Sequence, residues 1–466
     1  MKHNYFKRTI AVAALLLAAN IFSLAQSGGR STINETNVRA EMNFLAGDAM
    51  QGRGSGTMFE RIAAEYIGSQ FMQFGLEPAG EMGIDGKQTY VQTVNIPGRE
   101  ELKTIRIKGE AGKSIAFGKD LVVFALTSKQ ISGELQRAKP GDVLKKGAIV
   151  LLMLGPDDEF DKIQPSVADM MKAGPAAIVM VETKELRENW SEVAQRRSPV
   201  SRRGGASLMA VSSDGIKALS GVADGTVIEF ETEFATGKGT QTWNAMGKIT
   251  GSDKTLSSEV ILLTSHLDHL GVRDNAPGDD KIFNGADDDA SGSVAVLELA
   301  RVLGSGKRPK RTVYFVCFGS EEAGGYGATY FVNNMPFPKD KLVANLEFEM
   351  IGRPDAKVKA EELWLTGYER SNLGPELAKR GAKLVQDPHP DQNFFFRSDN
   401  IQLARAGIIA HTVSSFGLHT DYHKASDEVK TIDFSHMTRS INSMVKPVEW
   451  LINSNFKPTW NEGKKP

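Results

Sequence analysis

The stretch NGADDDASG, residues 284–292, places three consecutive aspartates among glycines and other small residues. One interpretation is a solvated turn, since Asn, Gly, Asp and Ser favour turns through local hydrogen bonds. The other is a cation site, because adjacent carboxylates repel one another unless solvent, protons or a bound metal ion offsets their charge. The stretch alone leaves both interpretations open.

Four other segments place histidines and carboxylates close together. They are SHLDHLG at 265–271, SEEAG at 320–324, LEFEMIGR at 346–353 and GLHTDYHKASDEV at 417–429. Each is ambiguous alone, since a single histidine at a strand end is more often structural and a Glu-Glu pair is usually a solvated surface feature. The first three follow apolar runs, however, and the functional groups of α/β sheets collect where strands end. Chance is a poor explanation for the presence of histidines and carboxylates at the ends of several predicted strands.

Imidazole and carboxylate side chains without a thiolate form a ligand set suited to zinc, manganese or cobalt. The single cysteine, Cys317, lies within a strand-like run and is expected in the core. Two such ions, about 3.5–4 Å apart, can share one carboxylate and activate water for hydrolysis. A further carboxylate that binds no metal is then needed to accept the proton. The pattern predicts metal-dependent hydrolysis.

The elements that must position these residues alternate between strand and helix from about 243 to 455. Apolar strands alternating with helices predict an α/β fold with a three-layer, mixed and largely parallel sheet covered by helices. Between 96 and 235 the sequence changes to short strand-like runs, many turn residues and one or two helices. This change predicts a separate, inserted, small β-rich domain.

The first 25 residues are typical of a signal peptide, with a basic start, an apolar run from Ile10 to about Leu24 and small residues before a cleavage site after Ala25. A membrane anchor is the alternative, but the run is short for a span and contains Asn20. The predicted domains are therefore 1–25 (signal peptide), 26–95 (first part of the catalytic domain), 96–235 (inserted domain) and 236–466 (catalytic domain). We expect export to the periplasm or the extracellular space, without stable membrane insertion after cleavage.

The composition excludes some classes of function. The 466 residues carry a formal net charge of -1, which does not favour binding to nucleic acid or polybasic binding to membranes. One cysteine allows no intrachain disulfide. Oligomeric state stays open at this stage.

The motifs SHLDHLG, NGADDDASG, SEEAG, EMIGRP and DYHKASDEV follow one another over about 160 residues. In this order they resemble the co-catalytic di-zinc aminopeptidase family, whose relatives include glutamate carboxypeptidases and glutaminyl cyclases. The segment FLAGDAMQGRGSGTMFERIAAEYIGSQFMQFGLEPAG is similar to that family's amino-terminal region, and 96–235 resembles its inserted protease-associated domain. The resemblance covers nearly the whole mature chain and implies a zinc exopeptidase-like fold.

The resemblance also implies a role for individual residues. Two zinc ions per chain, or other divalent metals, would be held by His266, Asp288, Glu322, Glu349 and His423, with Asp288 bridging the ions. Glu321 would be the general base, and Asp268 would orient His266. Asp287 and Asp289 would hydrogen-bond to the backbone and shape the loop.

One motif departs from the family pattern. The family usually has aspartate in a DMIG string, whereas this chain has Glu349 in EMIG. Glu347, two residues earlier, is the alternative ligand. Arg397, Ser398 and Asp399 resemble a family segment near the pocket wall and either line the substrate cleft or form a structural loop.

The favoured activity is that of a secreted, metal-dependent exopeptidase acting on peptides. It would be an aminopeptidase that uses a metal-bridging hydroxide and a glutamate general base. The alternatives are a glutaminyl cyclase-like acyltransferase, which by resemblance uses a single zinc, and a carboxypeptidase or dipeptidase of the same superfamily. A non-catalytic binding protein is a further alternative, although every ligand position holds a competent residue.

Overall fold

The computed structural model describes residues 32–466 except 99, 109–114, 116–117, 156–157, 189, 191–204 and 275. The predicted signal peptide, residues 1–25, lies outside the described residues. The chain divides into two compact units. Unit 1 comprises Met1–Ile96 and Thr240–Pro466, and unit 2 comprises Pro97–Gly239.

The strands are numbered along the whole chain. They are β1 Glu77–Pro78, β2 Val91–Ile96, β3 Glu100–Lys108, β4 Leu121–Ala125, β5 Gln130–Ala138, β6 Ile149–Leu152, β7 Ala177–Val181, β8 Ser207–Val211, β9 Val227–Thr236, β10 Thr240–Ile249, β11 Val260–His266, β12 Gly271–Val272, β13 Ile282–Phe283, β14 Thr312–Phe318, β15 Leu342–Phe348, β16 Leu363–Leu365, β17 Leu384–Gln386 and β18 Ala410–Ser414.

The α-helices are numbered in the same way. They are α1 Glu35–Leu45, α2 Met58–Gln73, α3 Phe160–Lys172, α4 Lys184–Glu188, α5 Lys217–Ser220, α6 Gly292–Gly304, α7 Tyr326–Asn333, α8 Leu373–Lys379, α9 Asn400–Arg405 and α10 Phe434–Asn453.

Unit 1 is built on one mixed sheet. Its strands lie in the order β1, β10, β14, β11, β15, β18, β16, β17, with β2 also paired to β10. The central strands β14, β11, β15 and β18 run parallel to one another. β10 and β16 pair with this parallel centre in the antiparallel direction. The predicted mixed α/β fold, with a sheet covered by helices, is confirmed.

Helices cover both faces of this sheet, because successive side chains of each strand point to opposite sides. In β11, Ile261 and Leu263 lie in the core formed with α1, α2, α6, α8 and α10. Val260 and Leu262 of the same strand lie in the core formed with α7 and α9. The central strands are buried on both faces, which explains why they read as continuous apolar runs.

Two helices of the amino-terminal segment begin at side-chain caps. Asn34 accepts a hydrogen bond from the amide of Asn37 at the start of α1, and Thr57 accepts one from Glu60 at the start of α2. Such caps satisfy amide groups that lack partners within the helix. The Thr57 cap fixes where α2 begins, directly after the glycine-rich segment 52–56.

Unit 2 has its own sheet, in the order β3, β9, β5, β6, β7, β8, β4. Strands β5 to β8 are parallel neighbours, and β3, β9 and β4 add antiparallel pairs at the edges. Apolar side chains form a core on each face of the sheet, and α3 contributes Val167 and Met170 to one of them. The unit is rich in strands, as the sequence predicts.

Among the described residues, every helix is too short or too polar to cross a lipid bilayer.

Candidate metal centre

Three neighbouring strands deliver the predicted site residues to one edge of the sheet. β11 lies between β14 and β15 and is parallel to both, so the carboxyl ends of the three strands lie side by side. His266 is the last residue of β11, Glu321 follows β14 by three residues, and Glu349 directly follows β15. The strand order therefore brings together residues that are far apart in sequence.

Asp288, the middle residue of the aspartate triplet, lies among these strand ends. Its Oδ1 is 3.2 Å from Nε2 of His266, and its Oδ2 is 3.2 Å from Nε2 of His423. Asp288 is buried, and the peptide bond that links it to Asp289 is cis. One carboxylate thus faces two imidazoles from different parts of the chain.

Two groups of side chains around Asp288 are close enough to hold a metal ion. His266, Asp288 and Glu349 form one group, in which each residue offers a ligand atom within 4.8 Å of the others. His269, Asp288 and Glu322 form the second group on the same criterion. His423 adjoins the second group, because its Nε2 is 3.3 Å from Oε1 of Glu322. The structure therefore brings all five predicted ligands together.

Several of these ligand atoms are buried and form no hydrogen bonds with one another. Nε2 of His266 and Oε1 of Glu322 have no hydrogen-bond partner within the described part of the chain. Buried polar groups are normally hydrogen-bonded, so an orphaned atom calls for an explanation such as an ion. Imidazole nitrogens and carboxylate oxygens are the donors that zinc accepts. The residues present therefore fit the metal that the sequence predicts.

The two outer aspartates of the triplet have a different role. The carboxylate of Asp289 accepts hydrogen bonds from the backbone amides of His266, Gly292 and Met350. Asp287 accepts from the amide of Gly352 and contacts Nε2 of His419 at 2.9 Å. As the sequence predicts, these two carboxylates shape the loop, and only that of Asp288 belongs to the donor groups.

Asp268 makes more contacts than its predicted role requires. Nδ1 of His266 lies 3.2 Å from the backbone oxygen of Asp268 and 3.8 Å from its carboxylate. That carboxylate accepts hydrogen bonds from the hydroxyl of Ser55 and from the amides of Glu321 and Glu322, at 3.0 and 3.3 Å for the two amides. Asp268 thus orients His266 mainly through its backbone, and its side chain ties the β11 loop to the β14 loop.

Glu321 lies beside the donor groups without belonging to either of them. Burial raises the pKa of Glu321 well above its usual range, His266 opposes the rise, and the carboxylates of Asp399 and Glu349 add to it. A carboxylate with a raised pKa is a better proton acceptor than an ordinary one. The position of Glu321 suits a general base.

Glu349 and Glu347 occupy distinct environments. Glu349 belongs to the group with His266 and Asp288. Glu347 is fully buried two residues earlier, and its Oε2 accepts a hydrogen bond of 2.5 Å from the amide of Asn400. The geometry favours Glu349 over Glu347 as the metal-facing carboxylate.

An aromatic cavity adjoins Glu349. Its walls consist of Met350, Trp364, Thr366, Phe394, Arg397, Ser398, Thr412, Ser414, Phe416 and Tyr422. Two of the three residues considered for the substrate cleft, Arg397 and Ser398, are therefore at the cavity. Asp399 is buried, with only 1% of its surface exposed, and is not among the lining residues.

The amino-terminal segment contributes two positioning residues that the sequence motifs do not include. Arg53 is fully buried, and its guanidinium donates to the backbone oxygens of Leu45, Leu267, Asn284 and Gly285 at 2.6–2.9 Å. It therefore links α1, the β11 loop and the aspartate loop. The glycines around Arg53 are the only sequence signal of this role. Glycine allows the backbone to pack closely against neighbouring segments.

Glu60 of α2 is the second such residue. It is fully buried, and it accepts hydrogen bonds from the amides of Gly56 at 2.6 Å and Ser320 at 2.9 Å and from the hydroxyl of Thr242. Ser320 has a φ of 57°, in the left-handed region that disfavours side chains. A Cβ on Gly319 would lie 2.7 Å from Oε1 of Glu60, so the contact is tight. Glu60 holds the turn that presents Glu321.

We expect Glu60→Ala to lower both stability and turnover. Two buried donors, the amide of Ser320 and the hydroxyl of Thr242, would lose their acceptor, at about 1–3 kcal/mol for each group left unsatisfied, so the free energy of unfolding should fall by about 2 kcal/mol or more. The loosened turn should misplace Glu321 and lower kcat by about 10- to 100-fold. Urea denaturation and steady-state kinetics at saturating zinc measure the two effects.

Glu65→Ala is the matched control, because Glu65 lies on the same helix and is exposed, with a loose contact to Arg61 at 3.8 Å. It should change neither quantity. A Glu60→Ala variant with the kcat of the unmodified protein would show that Glu60 does not position the turn.

Comparison with known proteins agrees with this geometry. The profile of peptidase family M28 matches residues 244–446. The aminopeptidase YwaD of Bacillus subtilis (strain 168) is 22% identical over 97% of this chain and 95% of its own length.

Among solved structures, an aminopeptidase from Aneurinibacillus sp. strain AM-1 superposes with a TM-score of 0.54 at 18% identity, over 91% of this chain and 95% of the other. BSAP, described as a zinc aminopeptidase from Bacillus subtilis, superposes with a TM-score of 0.53 at 18% identity, over 91% of this chain and 96% of the other. These structures support the fold, and the family match covers the segment that carries both donor groups. Residues 244–446 of this chain are therefore similar to peptidase family M28, and the relatives and solved structures that match nearly the whole chain are aminopeptidases.

Proposed function

We propose that this protein is an aminopeptidase that removes the amino-terminal residue of peptides with the help of two zinc ions. The observation that carries the proposal is the carboxylate of Asp288, which has an imidazole nitrogen 3.2 Å from each of its two oxygens. A carboxylate shared by two groups of donors is the arrangement that a pair of ions requires.

Each ion has its own set of candidate ligands. His266 and Glu349 would hold the first ion, Glu322 and His423 would hold the second, and Asp288 would serve both. Bound zinc polarises a carbonyl and lowers the pKa of water, which is the chemistry that peptide hydrolysis needs. The two donor groups support a count of two ions rather than one.

Glu321 moves the proton in this proposal. It lies outside both donor groups, so its carboxylate is available to accept a proton from the attacking water and to donate it to the departing amine. Its backbone is anchored, because its amide donates to Asp268 at 3.0 Å and the preceding amide donates to Glu60 at 2.9 Å. These contacts fix the direction from which the proton is taken.

Two features support action at the amino terminus of a substrate. Burial raises the pKa of Glu321 and that of Glu347, and the carboxylates of Asp399 and Glu349 add to both rises, which reflects a local concentration of carboxylates. Such a concentration favours a free ammonium group over a terminal carboxylate. Aromatic side chains beside Glu349, among them Phe416 and Tyr422, favour contact with an apolar first residue of the substrate.

A panel of small substrates tests the activity. Leucyl and phenylalanyl amides should be hydrolysed, a chelator should abolish the reaction, and added zinc should restore it. N-acetyl-leucinamide should resist hydrolysis, because it lacks the free ammonium group.

Other products would indicate other activities. Cleavage of N-acetylated dipeptides would replace the proposal with a carboxypeptidase, and conversion of glutaminyl peptides to pyroglutamyl peptides would replace it with a cyclase.

We also propose that unit 2 is a protease-associated-like insertion and that residues 1–25 direct export. The first is supported by the strand-rich sequence between 96 and 235 and by its inserted place in the chain. The second is supported by the basic and apolar composition of the amino terminus.

A further inference from the structure

His269 belongs to one of the donor groups, although the ligand set proposed above does not include it. It follows His266 by three residues, and only 1% of its surface is exposed. Its Nδ1 lies 2.8 Å from Oε1 of Glu322 and 3.8 Å from Oδ2 of Asp288. The same two oxygens face His423. Two imidazoles therefore converge on one pair of carboxylates.

The short distance between His269 and Glu322 does not produce a hydrogen bond. Nδ1 of His269 and Oε1 of Glu322 are both buried, and neither has a hydrogen-bond partner in the portion of the chain that the structure describes. The two atoms are therefore close together, yet each lacks a partner for its lone pair or proton among the described residues. A cation in contact with both atoms would satisfy them.

Packing prevents the ring from turning away. A Cβ on Gly285 would lie 2.4 Å from Cγ of His269, so the aspartate loop lies directly against the imidazole. On another side the ring of His423 contacts it edge to face, with centroids 5.7 Å apart. The backbone amide of His269 donates to the oxygen of Arg53 at 3.2 Å. The orientation of Nδ1 is therefore built into the fold.

We propose that His269 is an additional ligand of the zinc ion held by Asp288, Glu322 and His423. This inference rests on the proposed function, since it requires that ion. The second position then receives two imidazoles and two carboxylates, whereas the first receives one imidazole, from His266, with the carboxylates of Asp288 and Glu349. The two positions are chemically unequal.

The inequality has a measurable consequence. Imidazole suits zinc, whereas carboxylate oxygen also suits manganese and magnesium. During stepwise chelation the ion beside His266 and Glu349 should leave first, and manganese should replace it more readily than the ion beside His269.

The test measures zinc affinity in His269→Ala, His269→Asn and the unmodified protein by competition with a chromogenic chelator. Circular dichroism checks that each variant is folded. One of the two zinc affinities should fall by about 100-fold or more in His269→Ala, beyond the usual effect of losing an outer hydrogen bond. His269→Asn should recover part of the loss, because its amide oxygen lies near the place of Nδ1. His436→Asn is the control, since His436 is buried against Ser415, away from both donor groups.

A second readout separates a ligand from a neighbour. The visible absorption of bound Co²⁺ depends on the atoms that contact the ion, so it should change in His269→Asn. Two zinc affinities like those of the unmodified protein, with an unchanged Co²⁺ spectrum, would overturn the inference and leave the proposed function intact. Fewer than two zinc ions in the unmodified protein would instead contradict the proposed function. If His269→Ala does not fold, His269→Asn decides between these outcomes.

Discussion

Replacing Glu321 by glutamine is expected to lower kcat by about 10³- to 10⁴-fold, within the range that general acid–base catalysis supplies, and to leave the zinc content unchanged. Glutamine keeps the size of the side chain but does not accept the proton of the attacking water. The backbone contacts to Asp268 and Glu60 are independent of the Glu321 side chain, so the turn should keep its place. Steady-state kinetics with leucyl amide and metal analysis of the same sample give both numbers.

The neighbouring carboxylate provides the contrast. Glu322→Gln should lose zinc, because Glu322 belongs to a donor group and Glu321 does not. Normal turnover in Glu321→Gln would rule out Glu321 as the base. Loss of zinc in Glu321→Gln would mean that the two glutamates have exchanged roles.

Asp288→Asn is expected to have the broadest effect of any single substitution at the site. Asp288 is common to both donor groups, so its change should weaken both ions, and activity should disappear. In Asp288→Asn, added zinc should also no longer increase the free energy of unfolding. A ligand that binds only the folded state adds about 4 kcal/mol when its free concentration is about 1,000 times its Kd. Thermal unfolding with and without zinc should show this increment in the unmodified protein and little of it in Asp288→Asn.

Asp289→Asn is the matched control within the same triplet. The carboxylate of Asp289 accepts three backbone amides and belongs to neither donor group. Its amide variant should lose about 1–3 kcal/mol of stability through a mismatched buried donor, yet keep the response to zinc. An Asp288→Asn variant that still gains stability from zinc would show that Asp288 does not bridge the ions.

The sequence was sufficient to predict the strand ends that converge on the site. β11, β14 and β15 are long apolar runs, and each is followed at once by polar residues, which is the pattern of buried parallel strands. Parallel neighbours end at the same edge, so His266, Glu322 and Glu349 had to lie near one another once the strand order was right. Within the aspartate triplet, only Asp288 faces the imidazoles of His266 and His423 at these strand ends.

The choice between Glu347 and Glu349 illustrates what the sequence leaves open. Residues two apart in a strand share a face, so the period alone does not separate them. The difference arises because β15 ends at Phe348, and Glu349 follows the strand. Glu347 remains within the strand, and its carboxylate accepts a hydrogen bond from the amide of Asn400.

The positioning residues were beyond prediction for another reason. Glu60 lies on a helix whose exposed positions carry similar charged residues, and its burial depends on the β14 turn, more than 250 positions later in the chain. Arg53 likewise reaches loops more than 200 positions away. His269 is adjacent to a recognised motif, yet its direction is set by Gly285 of the aspartate loop. Such contacts arise only when distant segments pack.

The proposed function requires Asp288 to hold two zinc ions. Anomalous scattering at the zinc edge, measured on crystals of the zinc-loaded protein, tests it most directly. We expect two peaks beside the carboxylate of Asp288, one near His266 and Glu349 and the other near Glu322 and His423. A single peak, or two peaks away from Asp288, would contradict the proposed function.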